Sequence, residues 1–248
     1  MLDCAPDAES SAEASRLTFG PLLTIREILA DGGGGGYEAK PKQALAEMAR
    51  YVSTFLTAPH PKLGRSGAVC PFAAQATEQD LIRLTACPVE DDDPDGFARI
   101  AEGMAWLRSE LAVPAAAGPV HRAVIAVFPS LTEPAGARMI EAVQRALKLS
   151  FVERELMIGQ FFPSCPEPGL WNDDFRPLQS PVISLAIRNI TIFDAPFMLD
   201  RQAYVDAFVR TFGAAGEERI AKAAQDRGLP GRGGCPREAV DAAAEARP

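Results

Sequence analysis

The chain has no run of about eighteen apolar residues, the length a helix needs to cross a bilayer. It also lacks any stripe of Lys and Arg interleaved with aromatic rings. With a net charge of −8 and an isoelectric point near 4.9, it is not expected to bind nucleic acid or a membrane surface. Histidine is scarce, two in 248 residues, which excludes a multi-histidine metal site. The five cysteines include no C-x-x-C pair, so a structural zinc or a thioredoxin-type redox pair is not expected and free thiols are. Neither G-x-G-x-x-G nor a phosphate loop is present: the glycines at 32–36 lack both a following Lys-Ser/Thr and a preceding strand. No internal repeat is visible. The first residues are acidic and polar where a secretory signal is basic and then apolar, and the chain is expected in the cytoplasm.

A hydrophobic content of 47% is enough for a sizeable core. The expected organisation is a mostly disordered segment at 1–40 with a glycine hinge at 31–36, one globular domain at 41–227, and a loose tail at 228–248. Within the domain, Ala44, Leu45, Met48, Tyr51, Val52 and Phe55 recur at helical spacing after Pro41, giving an amphipathic helix that ends before Pro59. Further helices are expected from Thr77, over Phe97–Leu111, after Thr132, and from Asp200 to a stop at Gly213. Strands are expected near 119–128, 154–161 and 182–192, where β-branched and apolar residues run together. The fold class is therefore mixed α/β (α+β): a small sheet of about three or more strands flanked by several helices, with a helical N-terminal half.

Chemistry concentrates in residues 59–72, Pro-His-Pro-Lys-Leu-Gly-Arg-Ser-Gly-Ala-Val-Cys-Pro-Phe. His60 between two prolines is a candidate ligand, and its competing reading is an exposed turn residue. His121 opens an apolar run and reads as structural. Cys70, Cys87, Cys165 and Cys235 each precede proline, a dipeptide known at thiolate haem ligands, although 21 prolines will place some after cysteine by composition alone. Cys70 is a candidate thiolate ligand or nucleophile, with an inert buried thiol as the alternative. A second group comprises Gln160, Phe161, Glu167, Trp171, Asn172, Phe175 and Arg176, polar groups among large rings that suit a pocket lid. A third is Arg188, Asp194, Pro196 and Phe197. Arg65, Arg176 and Arg188 are candidates for pairing with carboxylates, or else surface ion pairs. The acidic run 90–93 reads as a solvated loop.

The motifs H-P-x-L-G-R-x-G-x-V-C-P-F at 60–72, G-Q-F-x-P at 159–163, E-P-G-L-W-N at 167–172, F-R-P-L-x-S-P at 175–181, L-A-I-R at 185–188 and D-x-P-F at 194–197 carry a resemblance. Over roughly residues 45–215 the chain resembles an uncharacterised family of bacterial domains related to the haem-dependent arginine N-hydroxylases of D-cycloserine biosynthesis, and more distantly to haem-dependent guanidine hydroxylases. The resemblance implies haem b, an iron-dependent monooxygenase reaction on a small arginine-like substrate, and an electron donor. It departs at Phe162 and Asn189, where histidines are expected. The implied cofactor contacts are His60 as axial ligand with Cys70 as the alternative, and Arg65, Phe72, Trp171, Arg176 and Arg188. Gln160, Glu167 and Asn172 are the implied groups around the substrate. A thiol-dependent enzyme using Cys70 and a non-catalytic small-molecule or partner-binding domain are the rival expectations.

Overall fold

The computed structural model describes residues 19–30, 36–111 and 122–227. His121, Cys4, Cys235, the tail from 228 and most of the glycine hinge lie outside them.

Two compact units divide the chain, one formed by residues 1–146 with 158–188, the other by 147–157 with residues from 189 onward. The first holds a mixed sheet ordered β1-β2-β3-β5-β4. β1 (Leu23–Thr24) runs antiparallel to β2 (Ile82–Ala86), which runs parallel to β3 (Ala123–Val127). β5 (Ser184–Asn189) is antiparallel to β3, with Ile125 opposite Ala186, and β4 (Leu156–Phe161) lies on the outer edge. The mixed class is as expected, but β1 and β2 belong to a half of the chain read as helical. β2 carries Arg83 exposed between buried Ile82 and Leu84, a strand alternation only five residues long and too short to stand out from sequence.

Residues 19–30, assigned to the disordered leader from sequence, are instead built into this unit. Phe19 is buried, and helix α1 (Ile25–Ala30) sinks Ile28 into the core. Tyr37 ties the segment down: its hydroxyl donates to Pro21 O at 2.7 Å and accepts from the Ala86 amide at 3.1 Å. Burial raises the Tyr37 phenol above its ordinary value.

Helix α2 (Ala39–Arg50) presents Ala44, Leu45, Met48 and Ala49 to the sheet, as its spacing requires, then widens into a π-helical segment, Tyr51–Leu56. π-Segments put successive rings on a new face and often mark functional regions. The short α3 (Ala73–Glu78) replaces the helix expected from Thr77, four residues earlier. α4 (Gly96–Leu111) links β2 to β3, and α5 (Ala135–Val152) links β3 to β4.

The second unit is built around α6 (Gln202–Asp226) and a 3₁₀ segment, Ile192–Met198, with Met198, Tyr204, Val205 and Phe208 buried together. Buried Asp194 opens that segment, its Oδ2 accepting the Thr191 amide at 2.7 Å and hydroxyl at 3.1 Å. The helix that opens α6 stops at Gly213 as expected, its backbone non-helical at φ 58° and ψ −142°; beyond that kink a second helical stretch, not expected from sequence, runs to residue 226. Among the described residues no helix is long and apolar enough to cross a membrane.

Candidate functional site

The two motif-bearing loops of the first unit meet. Residues 58–70 close on themselves where Val69 N–H donates to Ala58 O at 2.9 Å and Cys70 N–H donates to Leu56 O at 2.8 Å. Gly64 and Gly67 take positive φ, +78° and +91°, to complete that closure. A side chain on Gly64 would stand 2.6 Å from Trp171 O, so only glycine lets the second loop come this close. Asn172 Nδ2 then donates to Lys62 O at 2.9 Å, and its Oδ1 accepts the Asp174 amide at 2.9 Å. His60 stacks on buried Phe175, ring centroids 4.6 Å apart at 20°.

From this junction a ladder of rings leads to the π-segment. Phe55 lies 5.8 Å from His60, edge-on, and 5.1 Å from Tyr51, stacked; Tyr51 meets Phe161 of β4 at 6.5 Å. Each such pair adds about 0.5–1.5 kcal/mol beyond area burial. The Tyr51 hydroxyl donates to Pro177 O at 2.5 Å. Burial first, and the thiols of Cys165 and Cys70 second, raise this phenol far above its ordinary value.

Several of the residues expected around a ligand brace their own loops in the structure. Arg65 donates to Ser66 O at 2.9 Å and Val69 O at 3.1 Å, and Arg176 to Asp173 O and Phe175 O, so both guanidiniums hold their own loops. The amide of Asn172 is spent between the loops. Trp171 is 60% exposed and does not roof a pocket, while Glu167 faces solvent. Gln160 is half-buried on β4, Phe72 precedes α3, and Arg188 sits on β5 opposite Ala123. His60 Nδ1 accepts the Lys62 amide at 3.2 Å, which leaves the ring proton of a neutral imidazole on Nε2. Of the described cysteines only Cys70 is not buried; burial pushes Cys87 up to about 12 and Cys165 up to about 11, so both stay protonated.

Two clefts flank α2, and sequence reading missed both because their walls come from distant segments. One, about 430 Å³, is walled by Tyr51, Phe55, Thr54, Arg50 and Gln179. The other, about 340 Å³, has Phe128, Leu131 and Val182 as apolar floor and Lys40, Glu47 and Glu133 at its rim. Glu47 lines both. No cluster of three or more His, Cys, Asp or Glu side chains arranged for a metal ion occurs among the described residues.

The profile of a family described as a domain of unknown function, DUF6875, matches residues 45–223. That span takes in both motif loops, the π-segment and the second half of α2. Neither the curated proteins nor the solved structures yield a match.

Proposed function

The chain belongs to the DUF6875 family of domains of unknown function, and we propose that this member is a cytoplasmic haem-dependent monooxygenase that hydroxylates nitrogen on a small amino-acid or guanidino compound, with reducing equivalents from an electron donor. The observation that carries the reading is the junction itself. Motif residues 110 positions apart converge at Asn172 and Lys62. They hold Cys70 and His60 on one closed loop beside a wall of rings.

Part of the wall suits such a group, although neither Cys70 nor His60 lines the cleft beside it. Tyr51 and Phe55 offer an apolar face to a porphyrin, and Arg50 on the same cleft has no carboxylate partner among the described residues, so it is available to a propionate. Arg65 and Arg176 are engaged with carbonyls and serve less well. Cys70 is favoured over His60 as axial ligand, because an iron-binding nitrogen must offer a lone pair while His60 accepts a backbone proton at Nδ1 and carries its own at Nε2. Haem would supply the oxidising chemistry. The chain would supply the ligand, the ring wall and the shielding of that wall from water.

Protein purified from cells fed a haem precursor should show a Soret band, lost in Cys70→Ser and retained in His60→Ala. Colourless protein that takes up no added haemin would overturn the proposal. Loss of the band only in His60→Ala would exchange the two ligands. A thiol-dependent enzyme is the second reading, favoured by the accessibility of Cys70 beside two buried cysteines; alkylation of Cys70 abolishing activity in haem-free protein would establish it.

A further inference from the structure

The second motif loop contains a turn whose tip is chemically out of place. Gly169 and Asn172 pair across it, so its two central residues are Leu170 and Trp171. Tight-turn centres favour Gly, Pro, Asn, Asp and Ser, whose backbones or short side chains suit the sharp reversal. Here they hold two large apolar side chains, 47% and 60% exposed. The turn is tied down on both sides: Gly169 N–H donates to Phe175 O at 2.8 Å, Phe175 N–H donates to Asn172 O at 3.1 Å, and Gly64 leaves room for the Trp171 carbonyl to close on the first loop. Exposed Phe193 lies under the Arg219 guanidinium at 5.1 Å, whereas no ring or cation stands over Trp171 among the described residues. A braced turn that holds an uncovered tryptophan in water loses little entropy when another molecule buries that ring, and tryptophan is among the residues most enriched at the centres of protein interfaces.

Charge narrows the choice of that molecule. The chain as a whole carries −8, which sets its copies against one another. The two motif loops, residues 59–72 and 164–177, are locally neutral: Lys62, Arg65 and Arg176 balance Glu167, Asp173 and Asp174. Arg65 and Arg176 are spent on carbonyls, while Lys62, Asp173 and Asp174 are exposed and have no ion-pair partner among the described residues. The Asn172 bond to Lys62 O seats Lys62 beside the turn, and Asp173 and Asp174 leave the turn in sequence. One cation and two anions thus border the same apolar pair. Such a patch suits a copy of itself related by a two-fold axis, because a partner of a single sign, whether a protein or an anionic membrane, sets like charge against either Lys62 or the aspartates. We propose that the Leu170-Trp171 turn is the centre of an isologous dimer interface, with Trp171 packed across the axis on the same turn of a second copy and each Lys62 paired with Asp173 or Asp174 of the other. The inference goes beyond the haem reading and needs no cofactor.

Sedimentation velocity on the full-length protein tests it. A contact centred on two side chains falls at the small end of specific interfaces, so a dissociation constant on the order of 10 µM is expected, and a series from about 1 to about 200 µM should pass from monomer to dimer. Over the same series, Trp171 emission should shift to the blue in a Trp106→Phe background, where it is the sole tryptophan. Trp171→Ala should weaken the dimer at least about thirtyfold, the cost of truncating a central anchor. Lys62→Glu and Asp173→Lys/Asp174→Lys should each weaken self-association, and the two variants mixed should form a heterodimer, since the mixture restores opposite charges at both ends of the axis. Circular dichroism melts check that each variant is folded. A protein that stays monomeric across the series, or a dimer untouched in folded Trp171→Ala, overturns the inference. So does a blue shift seen only on adding phosphatidylcholine vesicles, which would make the turn a membrane anchor. A dimer lost in Trp171→Ala with no heterodimer on mixing overturns the two-fold pairing.

Discussion

At the scale of single residues, the loop junction depends on positions that make no polar contact. Gly64 combines φ +78° with a backbone carbonyl 2.6 Å from where a Cβ would stand. Gly64→Ala must therefore adopt a left-handed conformation and also push the Trp171 segment away. The first effect costs about 1–2 kcal/mol for a non-glycine residue, and the displaced packing of His60 on Phe175 adds to it. Urea denaturation should show a loss of about 2 kcal/mol or more; a loss under half that would mean that the two loops part easily and that the junction does not preorganise a site. The same scale shows what Arg65 and Arg176, read from sequence as candidates for pairing with carboxylates, hold in the structure: carbonyls of their own loops. An arginine between glycines in a loop offers the same sequence signal whether its fork meets a ligand's carboxylate or a neighbouring carbonyl, and here it meets Ser66 O and Val69 O.

At the scale of elements, two helices depart from regularity. α2 widens into the π-segment at Tyr51, which keeps Tyr51 and Phe55 stacked while turning them toward Phe161 and His60. α6 is interrupted at Gly213, whose φ 58° and ψ −142° lie where side-chain-bearing residues are strained. Nothing stands within 4 Å of the position of a Cβ there, so the cost of Gly213→Ala is purely conformational. The alanine variant should lose about 1–2 kcal/mol. Scanning calorimetry would detect it, and an unchanged or raised melting temperature would show that the kink straightens at no cost. Glycine reads as a helix stop from sequence because its freedom favours a terminus. The apolar positions beyond it, Ile220, Ala223 and Ala224, are buried and pull the chain back into helix.

At the scale of the whole molecule, the described phenols and thiols with a perturbed affinity for protons are all shifted in one direction. Burial raises Tyr37 and Tyr51 above the ordinary 10.0, and raises Cys87 and Cys165 from 9.0 to about 12 and about 11. On unfolding, these groups return to their ordinary values and release protons that the native state keeps. Their contribution to stability is fully present below pH 9.0, and it is lost as pH rises through the window up to about 12. Unfolding free energy should therefore fall with pH above about 9, and in Cys87→Ala/Cys165→Ala the decline between pH 9 and 10, where tyrosines contribute little, should flatten. A slope identical to that of the parent would assign the alkaline lability to other groups. Iodoacetamide near neutral pH should, among these three cysteines, modify Cys70 well before Cys87 or Cys165, since only the thiolate reacts.

Composition and period were enough to determine the mixed fold, the four long helices and three of the five strands, because a helix or strand with one buried face must repeat its apolar residues at that element's own period. The concentration of His60, Cys70, Trp171, Asn172 and Phe175 in two proline- and glycine-bounded loops was equally legible, since backbone-restricting residues announce ordered loops wherever they fold. What the loops do for each other was decided only by the tertiary structure. Hydrogen-bond partners such as Asn172 and Lys62 lie 110 positions apart, and no local pattern encodes which carbonyl an amide will reach. The same holds for Glu47: on the helix it is one more polar residue at an outer position, and only the arrival of residues 128–133 and 181–183 at α2 turns it into the wall of a cleft. A short strand such as β2 likewise owes its conformation to the strands that pair with it, because five residues hold too few periods to outweigh local helical preference.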